Sequence, residues 1–366
     1  MALFRNFKIT GENQKEIKPI MIAHTKIIAT LGPASTKESV LRKMFIGGMD
    51  IARLNFSHGT LKEHRERIIL IRGLNKKMRR AVKIMQDLEG YRLRVGKLSK
   101  KEVFLQKNHV VYFVQDDIIG DKNELSFDYR GSLTVIKKGS QIYIDDGKIL
   151  LEIIGGGRKR LKAKVIIGGL LKEKKGINIL GADLEFDALT AKDRGDLKTA
   201  LEYNLDYVAQ SFVRSAKDIN LIRGVIASEK KRCRVFAKVE NKKALLNIDE
   251  IIDASDGIIV ARGDLGICLP IYKVPVIQKE IVKKCRFKNK PVVVATQMLD
   301  SMASENIPTR AEVSDVANAI LDGATHLMLS AETAVGINPP GVISMMNKVI
   351  KNTENYQRTG SCGNIY

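Results

Sequence analysis

The chain has 366 residues, 44% of them hydrophobic, and a formal net charge of +21, a length and apolar content that allow a large buried core and exclude a disordered or fibrous chain. No apolar run approaches the roughly 20 residues of a membrane span, and the opening MALFRNFKITGENQKEIK lacks the apolar centre of a signal peptide, so a cytoplasmic protein with no membrane partner is expected. The four cysteines (Cys233, Cys268, Cys285, Cys362) are far apart with no CxxC pairing, which indicates neither a zinc site nor a disulfide framework; the thinly spread basic residues and 5% aromatics argue against a specific nucleic-acid partner.

After a polar preamble (1–23), short β-branched runs alternate with amphipathic stretches nearly to the end, the pattern of a parallel α/β fold. The runs are TKIIATL (25–31), DIARLNF (50–56), VKIMQDL (82–88), YVAQSFV (207–213), VFAKVE (235–240), GIIVARG (257–263), PVVVAT (291–296) and HLMLSAE (326–332). Thr60 precedes an apolar stripe at helical spacing, and Gly323 closes PTRAEVSDVANAILDG as a helix stop. From about 96 to 180 the helical period gives way to alternating strands punctuated by Asp-Gly and Gly-Gly-Gly. The expected fold is therefore a TIM (β/α)8 barrel, residues 24–95 and 181–357, with a small all-β domain (96–180) inserted after the third strand and a tail at 358–366.

In such a barrel, the polar residues at the C-terminal strand ends are the candidates for chemistry: Arg53, Asn55, Ser57, Asp87, Ser211, Lys238, Glu240, Arg262, Asp264, Thr296, Ser330 and Glu332. Residues two apart on a strand share a face, so Lys238 and Glu240 project together. They read as an ion pair or as functional groups, and such a pair is costly at a barrel interior unless other groups satisfy it. Glu240 and Asp264 suit Mg2+, which takes one or two carboxylates. Gly263 leaves backbone N–H groups open to an anion, Arg53 offers a bidentate guanidinium, and His58 is either a nucleotide contact or an exposed loop histidine. Two cations, a carboxylate pair and no candidate covalent nucleophile describe phosphoryl transfer.

At these residues the sequence resembles the pyruvate kinase family, through TKIIATLGPAS, ARLNFSHG, YIDDGKI, KGIN, AQSFVR, SDGIIVARGDLG, ATQMLDSM and PTRAEVSDVANAILDG, in the family's order. The resemblance implies phosphoenolpyruvate and ADP/ATP as partners, with Mg2+ as cofactor and Mn2+ able to substitute. It implies that Arg53 and Lys238 hold the transferring phosphoryl group and that Glu240 and Asp264 bind the metal. Thr296 with the N–H groups of Gly263 and Asp264 would hold the substrate carboxylate, and Thr296 with Ser330 would lie on the proton route. Asn55, Ser57, Asp87 and Leu88 match monovalent-cation ligands; His58, Arg94 and Lys175 match nucleotide contacts, Lys175 from a β-rich lid.

Several positions depart from that pattern. In DLEGYRLR, Tyr91 replaces a proline and Arg92 stands where a glutamate goes with a required K+, so activity without K+ is expected. Cys268 replaces a glutamate near the metal carboxylates, Ala331 a glycine and Leu180 a proline, and Glu185 stands where an aspartate is common. The family's C-terminal effector domain is absent by this reading, which leaves no fructose-bisphosphate response through it and at most a homodimer formed by barrel faces. The alternatives are a silent or weakly active binding protein of the same fold, motivated by Cys268 and Tyr91, and a carbon–carbon lyase, against which Lys238 and the lid speak.

Overall fold

The computed structural model describes residues 24–361 except Asp146, Asp183 and Glu185. The expectations for the preamble, for Glu185 and for the last residues of the tail lie outside the described residues.

Eight parallel strands close into a barrel: β1 (Lys26–Thr30), β2 (Ile51–Asn55), β3 (Lys83–Asp87), β4 (Tyr207–Gln210), β5 (Arg234–Val239), β6 (Gly257–Ala261), β7 (Val292–Ala295) and β8 (His326–Leu329), with β8 returning to β1. The runs are continuously apolar because both strand faces are covered. Ile28, Ile51, Met85, Phe236, Ile259, Val293 and Met328 fill the barrel, while a larger cluster packs strands against helices. At the N-terminal rim an early amide of β1, β3 and β5 is tied by the aspartate just ahead of the next strand: Asp50 Oδ2 accepts from Ile27 N–H (2.9 Å), Asp206 Oδ2 from Ile84 N–H (3.0 Å), and Asp256 Oδ2 from Val235 N–H (2.7 Å).

The helices begin and end on chemistry visible in the chain. Helix α1 is Glu38–Gly47 and α2 is Leu61–Met78; Thr60 caps α2 in a capping box with Glu63. After β4, β5 and β6 come α4 (Ala216–Ser228), α5 (Lys242–Leu246) with α6 (Ile248–Ala254), and α7 (Arg262–Cys268) with α8 (Val274–Phe287); α3 (Ala191–Glu202) precedes β4. Helix α9 (Arg310–Asp322) stops at Gly323, whose φ of 103° is the left-handed conformation that favours glycine. Short α10 (Ala331–Ala334) and long α11 (Pro339–Thr359) close the chain.

Between β3 and α3 lies a separate sheet of seven strands with its own core, from Leu93–Arg94 to Gly176–Leu180. Its first strand lies ahead of residue 96, because Leu93 pairs with Ile177 and Arg94 with Gly176. Seven of the eight barrel strands are shorter than their sequence runs. The chain leaves β4 at Ser211, β6 at Arg262, β7 at Thr296 and β8 at Ser330.

Candidate active site

The strand register stacks the polar ends in one layer. Thr30 pairs with Arg53, Asn55 with Asp87, and Asp87 with Ala209 across β1 to β4. Arg53 Nε reaches Asp87 Oδ2 at 2.6 Å and its Nη1 donates to Thr30 Oγ1 at 2.7 Å. On the far side of the same carboxylate, Lys238 Nζ lies 3.3 Å from Asp87 Oδ1, 2.9 Å from Glu240 Oε1 and 2.8 Å from Ser211 Oγ. The other Glu240 oxygen accepts from Phe212 N–H at 2.6 Å. The result is a buried row of alternating charge, Arg53, Asp87, Lys238 and Glu240.

Burial alone would push the Asp87 carboxyl up, but Arg53 and Lys238 outweigh it and hold it below the usual carboxylate range. Burial likewise opposes the Lys238 ammonium, yet Asp87 and Glu240 outweigh burial and the nearby Arg53, so its pKa is raised. Both groups are ionised across neutral pH. Lys238 is therefore a fixed cation in this row.

A cavity of about 150 Å³ opens onto this row, and its walls include Arg53, Asn55, Ser57, His58, Arg94, Lys238, Glu240, Asp264, Thr296 and Ser330. Asp264 does not end a strand: it lies in the first turn of α7. Gly263 N–H does not stand open to an anion, because it donates to Thr296 Oγ1 at 2.8 Å. Thr296 has φ 70° and Gln297 φ 53°, left-handed backbone that costs about 1–3 kcal/mol per residue and gathers at functional sites. Phe212, which holds Glu240, is left-handed too at φ 54°.

Among the monovalent-cation candidates, Asn55 Oδ1 accepts from Ser57 N–H at 3.1 Å and the Leu88 carbonyl from Ser211 Oγ at 2.7 Å. Asp87 and Leu88 lie behind the cavity wall, while Arg92 stands in it with Asn55 and Ser57. The Arg92 guanidinium packs so closely on Gly176 that a Cβ there would meet Nε at 2.5 Å. Arg94 is tied to Glu89 at 2.5 Å and to the Lys174 carbonyl. Lys175 is not brought to the cavity, since its Nζ pairs with Asp145 at 2.7 Å within the β domain.

Among the described residues no group of three or more His, Cys, Asp or Glu side chains is assembled for a metal. Glu240 and Asp264 supply two carboxylates to one cavity, which is what Mg2+ asks of a protein when substrate and water fill its octahedron; the residues fit the ion. Cys268 ends α7 with its thiol pushed up to about 12 by burial, Asp264 and Glu240, so it is neutral.

Glu332, named among the strand-end candidates, is buried and holds the turn after β8, accepting from Ser330 N–H at 2.6 Å and Leu299 N–H at 3.3 Å. Two contributors, Lys192 and Thr30, were not singled out in the chain. Lys192 reaches the Phe56 carbonyl at 2.7 Å and Glu89 at 3.4 Å. Thr30 could have been found by including the end of the first strand among the candidates.

His64 supports the loop after β2: it stacks on Phe56 at 4.0 Å and contacts the His58 carbonyl at 2.9 Å. Burial pulls His64 and His326 down to about 4. The unfolded chain therefore binds more protons than the folded one between about pH 4 and 6.5, and stability falls as pH drops through that window. The thermal midpoint is expected to fall from about pH 7 to about pH 5, and to fall less in His326→Gln; an unchanged slope in that variant contradicts the assignment.

The model for the barrel domain of pyruvate kinase matches residues 22–343. A pyruvate kinase of Thermococcus litoralis is 43% identical over 335 residues, 92% of this chain and 70% of that protein. One of Agrobacterium vitis is 43% identical over 334 residues, 91% of this chain and 69% of its own length. A pyruvate kinase of Staphylococcus aureus is 39% identical over 332 residues, 90% of this chain and 57% of its own. Alignment over at least 90% of its length with each of these proteins, together with a family model that spans both barrel and β domain, shows that the chain belongs to the pyruvate kinase family.

Proposed function

We infer that the chain transfers the phosphoryl group of phosphoenolpyruvate to ADP, giving pyruvate and ATP in glycolysis, with Mg2+ held by Glu240 and Asp264. The reading is carried by the buried Lys238 ammonium, fixed between Asp87 and Glu240 and sharing Asp87 with Arg53. Two cations fixed side by side stabilise charge spread over the transferring oxygens, which is what a loose phosphoryl transition state needs. Mg2+ supplies the divalent charge that neutralises substrate oxygens. Thr296, whose hydroxyl is held by the Gly263 amide, and the Asp264 amide hold the substrate carboxylate, and the Thr296 and Ser330 hydroxyls lie on the proton route. His58 and Arg94 flank the nucleotide. The β domain is a lid: its closure excludes water and brings Lys175, now on Asp145, to the nucleotide. This chemistry belongs to the cytoplasm and involves neither membrane nor nucleic acid.

Arg92 makes K+ dispensable, because it already brings a positive charge to the cavity that Asn55 and Ser57 also line. Coupled pyruvate formation from phosphoenolpyruvate and ADP with Mg2+, in tetramethylammonium buffer with and without K+, tests both statements. Turnover without K+ is expected, with K+ dependence appearing in Arg92→Glu; a strict K+ requirement in the parent removes the Arg92 account, and no pyruvate under either condition removes the whole reading. Mn2+ in place of Mg2+ should sustain turnover.

A homodimer through a barrel face is supported by exposed Ile271 and Tyr272 in the turn before α8 and Val276 in its first turn, which stand 76%, 73% and 58% accessible. Sedimentation at micromolar concentration should give the dimer mass and Tyr272→Asp the monomer mass; a monomeric parent sinks the idea.

A further inference from the structure

We propose that Arg262 is a positioning residue for phosphoryl transfer, holding the left-handed turn at Thr296 and Gln297 so that the Thr296 hydroxyl faces the cavity. The proposal rests on the assignment of Thr296 to the substrate made above. The Arg262 side chain is only 12% exposed, and its Nη2 donates to the Thr296 carbonyl at 2.7 Å and the Gln297 carbonyl at 3.1 Å, with Met298 Sδ at 3.0 Å. Nη1 pairs with Asp315 of α9 at 2.7 Å and lies 3.4 Å from Gln278 Oε1 of α8. One planar group thus joins the end of β6, the turn after β7 and two outer helices.

The direction of these bonds is what makes Arg262 more than an ion pair of the shell. Two successive residues at φ 70° and 53° present both carbonyls to a single donor, and nothing in the local sequence TQ favours that backbone. The next residue grips the same threonine from its other end, Gly263 N–H donating to Thr296 Oγ1 at 2.8 Å. Neighbouring residues therefore fix both the carbonyl and the hydroxyl of Thr296. A lysine has one nitrogen and no fork to hold both the two carbonyls and Asp315 at once.

The test is a double-mutant cycle on kcat/KM for phosphoenolpyruvate, with thermal midpoints recorded for every variant. Arg262→Met should lose about 100-fold, the scale of a misplacement near 1 Å, but should cost no more than about threefold when added to Thr296→Val, because the group it positions is gone. Arg262→Lys should lose about tenfold with a midpoint close to the parent's, which keeps the test available if the methionine variant does not fold. Losses that multiply independently, or a folded Arg262→Lys with parental turnover, overturn the proposal. Thr296→Val at parental turnover overturns the assignment of Thr296 and the proposal with it, an outcome distinct from multiplying losses.

Discussion

Lys238→Met is expected to lower kcat by about a thousandfold or more while phosphoenolpyruvate and Mg2+ still bind, because a fixed cation at developing charge acts mainly in the transition state. The stability cost is set by what the neighbours keep. Breaking a buried pair costs about 3–5 kcal/mol when a charge is stranded. Here Asp87 retains Arg53 at 2.6 Å and Glu240 retains Phe212 N–H at 2.6 Å, so the loss should stay below that range and the variant should fold. Coupled assays and calorimetric binding check both parts, and a variant that keeps more than about a tenth of parental turnover removes Lys238 from the mechanism.

Glu240→Gln separates the metal role from the structural one. The amide oxygen can still accept from Phe212 N–H, so the left-handed turn at Phe212 survives, but the charge is lost to both Lys238 and the metal. The Mg2+ concentration for half-maximal turnover is expected to rise at least about tenfold and kcat/KM to fall by about 100-fold or more, as for loss of a hard-cation carboxylate. Full titrations with Mg2+ at saturating phosphoenolpyruvate measure this. An unaltered Mg2+ dependence would return Glu240 to a purely structural partner of Lys238.

The barrel was legible because each parallel strand is apolar on both faces, and Lys238 and Glu240 were legible because a period of two puts them on one side. The strand ends were overrun in the sequence at Ser211, Arg262, Thr296 and Ser330. At those points the backbone bends to aim polar groups at the cavity, into left-handed conformations at Phe212, Thr296 and Gln297 that no hydrophobic period encodes. Local signals sufficed where the partner is near, as with Thr60 and Glu63 in their capping box. They failed where it is distant: Arg262 meets Asp315 53 positions away, and Arg94 meets the Lys174 carbonyl 80 positions away. The opening of the β domain was missed for a related reason. Leu93–Arg94 is too short to show alternation, and only its pairing with Gly176 and Ile177 makes it a strand.

Cys268 bears on the choice between an active and a silent protein. Its thiol, pushed up to about 12, adds no negative charge beside Asp264 and Glu240. The alternating row of Arg53, Asp87, Lys238 and Glu240 remains satisfied without a residue of another type at 268, which favours the active reading.

Phosphorus NMR of a mixture of phosphoenolpyruvate, ADP, Mg2+ and the full chain tests the phosphoryl transfer most directly. The account predicts that the phosphoenolpyruvate resonance falls as the γ-phosphate of ATP rises in equal amount, with no inorganic phosphate released and no change in a Lys238→Met sample. Inorganic phosphate in place of ATP, or an unchanged spectrum from the parent chain, would contradict it.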